Sequence, residues 1–490
     1  MTGVLYLITL ASAGLLVLLI PAVLVAIAHN EMELAANMGL LAAVGIFAAL
    51  AILIALSGKM KKSERAFSYL ALVGVWAVTP LTSALFFMVL ADLYFMPAWF
   101  EAVGALTTSG ASVLAREHAQ QGLLVWRTLL EWYGGFLTLA SIIHVLAPAG
   151  FGGLQGRGSR LLSSGPDEGL FRVATYYPLA LQYTIMTTVI FLGLVLFGVE
   201  PLEAGMLGMI SAATGGFLPF ADPLEQHISH GASTVMAIGL CFGTMSIFWR
   251  RQILRRPIHI FQNNLETKIV FAIIIALTVA YAVRIIDVSG GGLAGGVIAA
   301  LQEGFFTASS LVATSGIETR PGVIALLPQI VVLAIVFVGA GVYSTTGGVK
   351  VYRIGAMWIY AIAELNRLIY PNSVDRLRFG DLAINRDSMQ AIWTYFIIAV
   401  LVIGLGSMLI ALTATGFEAA IFMSVSFFSN ASPIYEALRP PTGVTIEAWP
   451  HFRELPNSVT YFLGILIMTI GRLEVLVIFA VLNIRFWYNR

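Results

Sequence analysis

Thr107-Thr108-Ser109-Gly110-Ala111 closes a short apolar segment at 97–107, and the same kind of ending returns three times. The later copies are Ala213-Thr214-Gly215-Gly216-Phe217, Ala313-Thr314-Ser315-Gly316-Ile317 and Ser429-Asn430-Ala431-Ser432-Pro433, behind apolar segments at 201–213, 297–313 and 418–429. Aligned on Gly110, Gly216, Gly316 and Ser432, the clusters stand 106, 100 and 116 residues apart. One Thr-Ser-Gly cluster is ordinarily a turn. Four at near-equal spacing, each behind a segment too short to cross a bilayer, describe a fourfold internal repeat.

The rest of the chain puts that repeat in a membrane. Of 490 residues 59% are hydrophobic and 11% charged, with a mean hydropathy of +0.89. A soluble domain carries roughly 25% charged residues. The composition therefore excludes a soluble globular enzyme, a disordered chain and a collagen-like one. A formal charge of +1 gives no reason to expect nucleic acid as a partner, and a lone cysteine, Cys241, excludes an internal disulfide framework or a cysteine metal cluster.

Ten stretches reach the roughly 20 apolar residues of a spanning helix. They lie near 4–28, 38–57, 67–95, 122–147, 174–199, 232–250, 268–286, 323–343, 391–414 and 458–484. The first is read as a retained helix despite Ala26-Ile27-Ala28, because no Lys or Arg precedes it and it exceeds a signal-peptide core of about 7–15 residues. Basic residues then set the orientation. Lys59, Lys61, Lys62, Arg65, Arg157, Arg160, Arg172, Arg250, Arg251, Arg255, Arg256, Lys268, Arg353, Arg367, Arg376, Arg378, Arg386, Arg485 and Arg490 all lie on alternate connections. The opposite side holds Arg116, Arg127, Arg284, Arg320, Arg439 and Arg453, while Lys350 and Arg472 fall within or at the edge of apolar stretches. This asymmetry puts both termini in the cytoplasm.

The four short segments then sit on the outer side and read as re-entrant helices. Irregular backbone at membrane depth survives only inside protein or beside water, so four of them imply a shared aqueous path. The fold expected is an all-α polytopic membrane protein. Four pseudosymmetric helix–re-entrant helix/loop–helix repeats surround one pore, with two extra N-terminal helices. The units run 1–62 for the extra pair, then 63–160, 161–262, 263–385 and 386–490. The chemistry suits a cation. Rings of backbone carbonyls replace an ion's water shell without adding full charge, glycine lets successive carbonyls face one axis, and Thr and Ser hydroxyls add oxygens.

These residues resemble the Trk/Ktr/HKT superfamily of potassium transporters, and within it the bacterial TrkH type. Besides the four clusters, Leu124-Val125-Trp126-Arg127 with Trp132-Tyr133-Gly134-Gly135, the stretch Gly341 to Val351, and Gly471-Arg472-Leu473-Glu474 are similar to the family's signatures. The resemblance implies potassium uptake across the bacterial cytoplasmic (inner) membrane, either alone or coupled to a second ion. It implies no organic cofactor on this chain, a homodimer in the lipid bilayer, and a separate cytoplasmic nucleotide-binding regulatory subunit of the TrkA kind. The longest cytoplasmic connection, near 350–390, holds no Walker-type loop.

The expected ion site is Thr108, Ser109, Gly110 and Ala111, with Thr214, Gly215, Gly216 and Phe217, Thr314, Ser315, Gly316 and Ile317, and Asn430, Ala431, Ser432 and Pro433. The expected gate is Ser344, Thr345, Thr346, Gly347 and Gly348, with Lys350 close by and Arg472 as a positive barrier below the filter. An arginine in mid-span costs at least about 2.5–3.5 kcal/mol, so it calls for a function or for a charge partner such as Glu474. Ser432 departs from the family's glycine. A left-handed L-residue costs roughly 1–2 kcal/mol, so another backbone geometry and altered K⁺/Na⁺ selectivity are both open. Asp222, Glu225, Glu318, Glu436, Glu447 and Glu454 follow the filters as a rim that raises local cation concentration or is merely solvated.

His118, His227 and His230 lack a zinc-ligand context. Gly290 to Gly295 matches a dinucleotide fingerprint in letters only, with no strand before it. Two rival readings remain: an alternating-access transporter of a small solute, and a sodium-permeable transporter of the same fold. No acid–base pair or nucleophile for an enzyme can be argued.

Overall fold

The structure is a computed structural model, and it describes residues 2–57, 65–146, 173–246, 264–288, 296–370, 377–380, 382–413, 415–440, 449–473 and 477. It is helical almost throughout. The helices run α1 (Thr2–Val17), α2 (Leu19–Ala28), α3 (Met32–Ser57), α4 (Arg65–Leu90), α5 (Phe95–Leu106), α6 (Gln121–Ser141), α7 (Val173–Leu196), α8 (Pro201–Ala213) and α9 (His230–Thr244). They continue with α10 (Leu265–Val288), α11 (Gly296–Val312), α12 (Gln329–Val338), α13 (Val351–Ile369), α14 (Arg386–Ala411), α15 (Phe417–Phe428), α16 (Pro433–Leu438) and α17 (Ser458–Arg472). A two-stranded antiparallel hairpin, β1 (Arg378–Phe379) with β2 (Leu382–Ala383), packs near α13.

Each repeat is a long helix, a short buried helix, a loop and a second helix. The short helices are α5, α8, α11 and α15, and their bounds agree with the sequence reading to within two residues. They are buried because they sit between the outer helices of their own repeat. Close approach is bought with glycine. A carbon added at Gly134 on α6 would lie 1.9 Å from the Leu106 carbonyl, and one at Gly471 on α17 would lie 2.0 Å from the Phe428 carbonyl. In each case a second helix lies flush against the C-terminus of a short one. The extra pair α1–α2 and α3 packs on α4 and α6, and the Glu31 carboxylate accepts the Gln121 and Gly122 amides at 2.7 and 3.0 Å. That satisfies orphan donors at the start of α6 with a charge of favourable sign.

The outside of the bundle is apolar. Leu40, Phe47 and Ile54 on α3, Val189 on α7, Ile275 on α10 and Leu401 on α14 are exposed, as a lipid-facing belt requires. Among the described residues, six helical stretches are long and apolar enough to cross a membrane, fewer than the ten expected. α6 is interrupted by buried charges, described α9 and α17 span 15 residues each, and α12 stops after 10. Two charges assigned to connections from sequence are interior. Arg127 is fully buried between Glu101 and Glu131, and Arg353 is fully buried with its guanidinium 3.9 Å from the centre of the Tyr395 ring. A basic residue next to an apolar run looks like a loop charge until its neighbours from other helices are in place, here Glu101 of α5 for Arg127 and Tyr395 of α14 for Arg353. The junctions near 62, 160 and 262 and the glycine run 290–295 lie outside the described residues.

Candidate functional site

The four clusters end their short helices in one shared geometry. Thr108, Thr214, Thr314 and Asn430 are left-handed, with φ of 55°, 52°, 56° and 50°. Their amides donate three residues back, to Ala105, Ser211, Leu311 and Phe427. The next amides, of Ser109, Gly215, Ser315 and Ala431, donate five residues back, to Gly104, Ile210, Ser310 and Ser426. This paired pattern is the Schellman motif. It stops each helix abruptly and turns the chain into an irregular strand. The partial negative charge of four helix C-termini faces the same place, which favours a cation.

The four strands close into a ring, each touching the next. A carbon added at Gly110 would lie 2.6 Å from the Gly216 backbone, and the Ser315 hydroxyl donates to the Gly215 carbonyl. A carbon added at Gly316 would lie 2.7 Å from the Ile434 side chain. The Ser432 amide donates to the Ser109 carbonyl at 2.9 Å, and the two serine hydroxyls are 2.5 Å apart. The ring is not strictly fourfold. Gly110 and Gly316 have φ of 75° and 71°, whereas Gly216 is not among the positive-φ glycines and Ser432 lies at −60°, where it caps α16.

Above the ring lies an open cavity of about 620 Å³, with Gly110, Gly216, Gly316 and Pro433 in its lining. Glu117, Asp222, Glu318, Glu436 and Glu454 also line it, against Arg116 and Arg453. Burial pushes the Glu318 carboxyl up to about 7, although the Ile324 and Gly322 amides donate to it. His451 hydrogen-bonds Glu436 at 2.7 Å, and His227 bonds Glu203 at 3.2 Å beside Phe220. Glu225 is exposed, with its amide on the Thr319 carbonyl, and Glu447 lies outside the described residues.

Below the ring the polar stretch of the eighth apolar run does not continue the helix. α12 ends at Gly339 (φ 65°), and the chain returns to helix only after Lys350 (φ 84°). Ser344, Thr345, Thr346, Gly347, Gly348 and Lys350 are all buried. The loop seals against the helix ends above it. The Gly347 amide donates to the Thr314 hydroxyl at 2.8 Å, and the Thr214 and Thr345 hydroxyls are 3.0 Å apart. A carbon added at Gly347 would lie 1.8 Å from the Ser429 carbonyl. Lys350 donates to Thr346, through both its carbonyl and its hydroxyl. Arg472 donates to the Thr345 carbonyl and the Thr138 hydroxyl, each at 2.7 Å. Both are neutral oxygens, and Glu474, the charge partner considered from sequence, lies outside the described residues.

Sequence reasoning missed three carboxylates. Glu101 on α5 and Glu131 on α6 flank Arg127, and Glu266 on α10 accepts the Val342 amide of the loop at 2.7 Å. The signal for one was present. Arg127 and Glu131 stand four apart inside an apolar run, where an ionisable residue points to a function and a nearby partner.

No protein-family model matches the chain. The Trk system potassium uptake protein TrkH of Salmonella typhimurium is 28% identical over 452 residues, covering 88% of this chain and 87% of its own length. The protein of that name from Escherichia coli is 27% identical over the same shares. The crystal structure of the potassium transporter TrkH from Vibrio parahaemolyticus superimposes with a TM-score of 0.82 over 99% of both chains, at 21% identity. The chain resembles the TrkH type of the Trk/Ktr/HKT superfamily in sequence and in fold. Like that crystal structure in fold, the chain is nearly all helical, and six helical stretches among its described residues are long and apolar enough to cross a membrane.

Proposed function

We propose that this chain carries K⁺ across the bacterial inner membrane through the four-stranded ring, and that the 339–350 loop gates the path. The observation that carries this reading is the closed ring of four left-handed helix ends, with carbonyl-rich strands above and a buried loop hydrogen-bonded below. The names of the relatives, potassium uptake proteins, support the ion. K⁺ is then cargo, and no organic cofactor is involved. The filter is Thr108 to Ala111, Thr214 to Phe217, Thr314 to Ile317 and Asn430 to Pro433, in repeats bounded as 63–160, 161–262, 263–385 and 386–490 behind the helix pair 1–62. The Thr214 and Thr314 hydroxyls engage the loop, so the loop in this position obstructs the inner end of the path. Arg472 pins the loop and adds positive charge beneath the filter. Both termini are cytoplasmic, the chain works as a homodimer, and a TrkA-like nucleotide-binding subunit drives the loop aside.

A sodium-permeable transporter of the same fold is the second reading. The tie between Ser109 and Ser432 favours it, because drawing strands one and four together narrows the ring toward the smaller ion. The test is flux of K⁺, Rb⁺ and Na⁺ into liposomes holding the purified protein, with and without the regulatory subunit. K⁺ and Rb⁺ flux above Na⁺, raised by the subunit, is expected. Comparable Na⁺ flux selects the second reading. Exchange of an organic solute without cation flux overturns both.

A further inference from the structure

A buried carboxylate stands behind the second filter strand. Glu131, on α6, accepts the Gly216 amide at 2.8 Å and the Phe217 amide at 3.4 Å through Oε1. It lies against the strand itself, since a carbon added at Gly215 would be 2.1 Å from that oxygen. Its other oxygen is held by Arg127 Nη1 at 3.0 Å. Arg127 in turn bonds Glu101 at 2.6 Å and the Ala111 carbonyl at 3.1 Å, and its guanidinium lies 4.4 Å from the centre of the Phe217 ring. Glu101, Arg127 and Glu131 are all fully buried.

The consequence follows from the peptide plane. The Gly216 N–H and the Gly215 C=O belong to one rigid trans unit and point in opposite directions. An acceptor fixed behind the strand therefore turns the Gly215 carbonyl away from α6, toward the face where the Ser315 hydroxyl meets it. A strand outside regular structure has no ladder to set its peptide planes. Here a charge-assisted bond sets one of them, and such bonds are shorter and stronger than neutral ones.

We infer that Glu131, clamped by Arg127, is a positioning residue that orients the Gly215 carbonyl and thereby sets the preference of the filter for K⁺ over Na⁺. The inference rests on the filter reading above. A brace that served folding alone would change the amount or stability of the protein, or the flux of all cations together, and leave the ion ratio alone.

The variant to make is Glu131→Gln. It removes the charge from the acceptor but leaves Arg127 paired with Glu101, so no buried charge is orphaned. In liposomes the K⁺/Na⁺ flux ratio is expected to fall by about fivefold or more, the scale on which a charge-assisted bond exceeds a neutral one. Arg127→Lys keeps the charge but loses the planar fork that reaches both carboxylates and Ala111, and the ratio is expected to fall in the same direction. Thermal unfolding in detergent separates selectivity from folding. If Glu131→Gln does not fold, Arg127→Lys decides. An unchanged ratio in a folded, conducting variant, or an equal loss for every cation, overturns the positioning role. Wild-type protein without cation flux would instead overturn the filter reading.

Discussion

Ser432 occupies a position where a glycine is expected, and its backbone shows how little that costs. Gly110 and Gly316 are left-handed, but Gly216, in the strand opposite Ser432, has no positive φ, and Ser432 itself lies in the right-handed region at −60°. The strain of a left-handed L-residue therefore does not arise at this position. What the serine adds is its hydroxyl, 2.5 Å from that of Ser109. Ser432→Gly removes one hydrogen bond, worth about 1 kcal/mol, and relaxes the tie between strands one and four. The K⁺/Na⁺ ratio is expected to rise by no more than about fivefold, measured by competitive Rb⁺ and Na⁺ uptake. Arg472 acts on a different footing. Arg472→Ala deletes two hydrogen bonds from a cation, each worth about 1.5–3 kcal/mol, together with the positive charge beneath the ring. K⁺ flux without the regulatory subunit is expected to rise several-fold, and unchanged flux would remove the barrier role.

At the scale of the elements, the loop 339–350 is held by contacts that converge from several helices. Glu266 of α10 takes the Val342 amide, Arg472 of α17 takes the Thr345 carbonyl, and the caps of α8 and α11 take Thr345 and Gly347. Gly347→Ala forces a methyl carbon to within 1.8 Å of the Ser429 carbonyl unless the loop moves. Overpacking of this kind costs about 1–3 kcal/mol, which is about 5- to 150-fold in the balance between two states. Single-channel recording in bilayers is expected to show a higher open fraction with unchanged ion selectivity. The loop and the short helices were legible in the sequence because both are breaks in an apolar pattern, and such breaks are local. The Schellman endings were not read in advance, because their left-handed residues are Thr108, Thr214, Thr314 and Asn430 rather than the glycines that mark such a cap in a sequence. Of the carboxylates, Glu131 was legible from its spacing to Arg127 on α6; Glu101 was not, because it joins them only after α5 and α6 pack, and Glu266 meets Val342 across 76 residues.

On the scale of the whole molecule, charge is arranged along the proposed path. Carboxylates outnumber arginines around the cavity above the ring, while Lys350 and Arg472 stand below the ring. A mouth of negative charge raises the local concentration of cations and matters most when the bulk ion is scarce. Glu318 makes this property titratable near neutrality, since burial lifts its carboxyl up to about 7. The sign follows directly. Above that pH the group is ionised and attracts K⁺; below it the group is protonated, and the cavity loses one of the five carboxylate charges that line it. Uptake at limiting K⁺ is therefore expected to fall as the outer pH is lowered from about 8 to about 6, by no more than a few-fold for a single charge in a screened cavity. Saturating K⁺ should abolish the effect. Glu318→Gln keeps an oxygen for the Ile324 amide and is expected to hold uptake at the low-pH level throughout. A pH profile of that variant parallel to the wild type would assign the titration to another group.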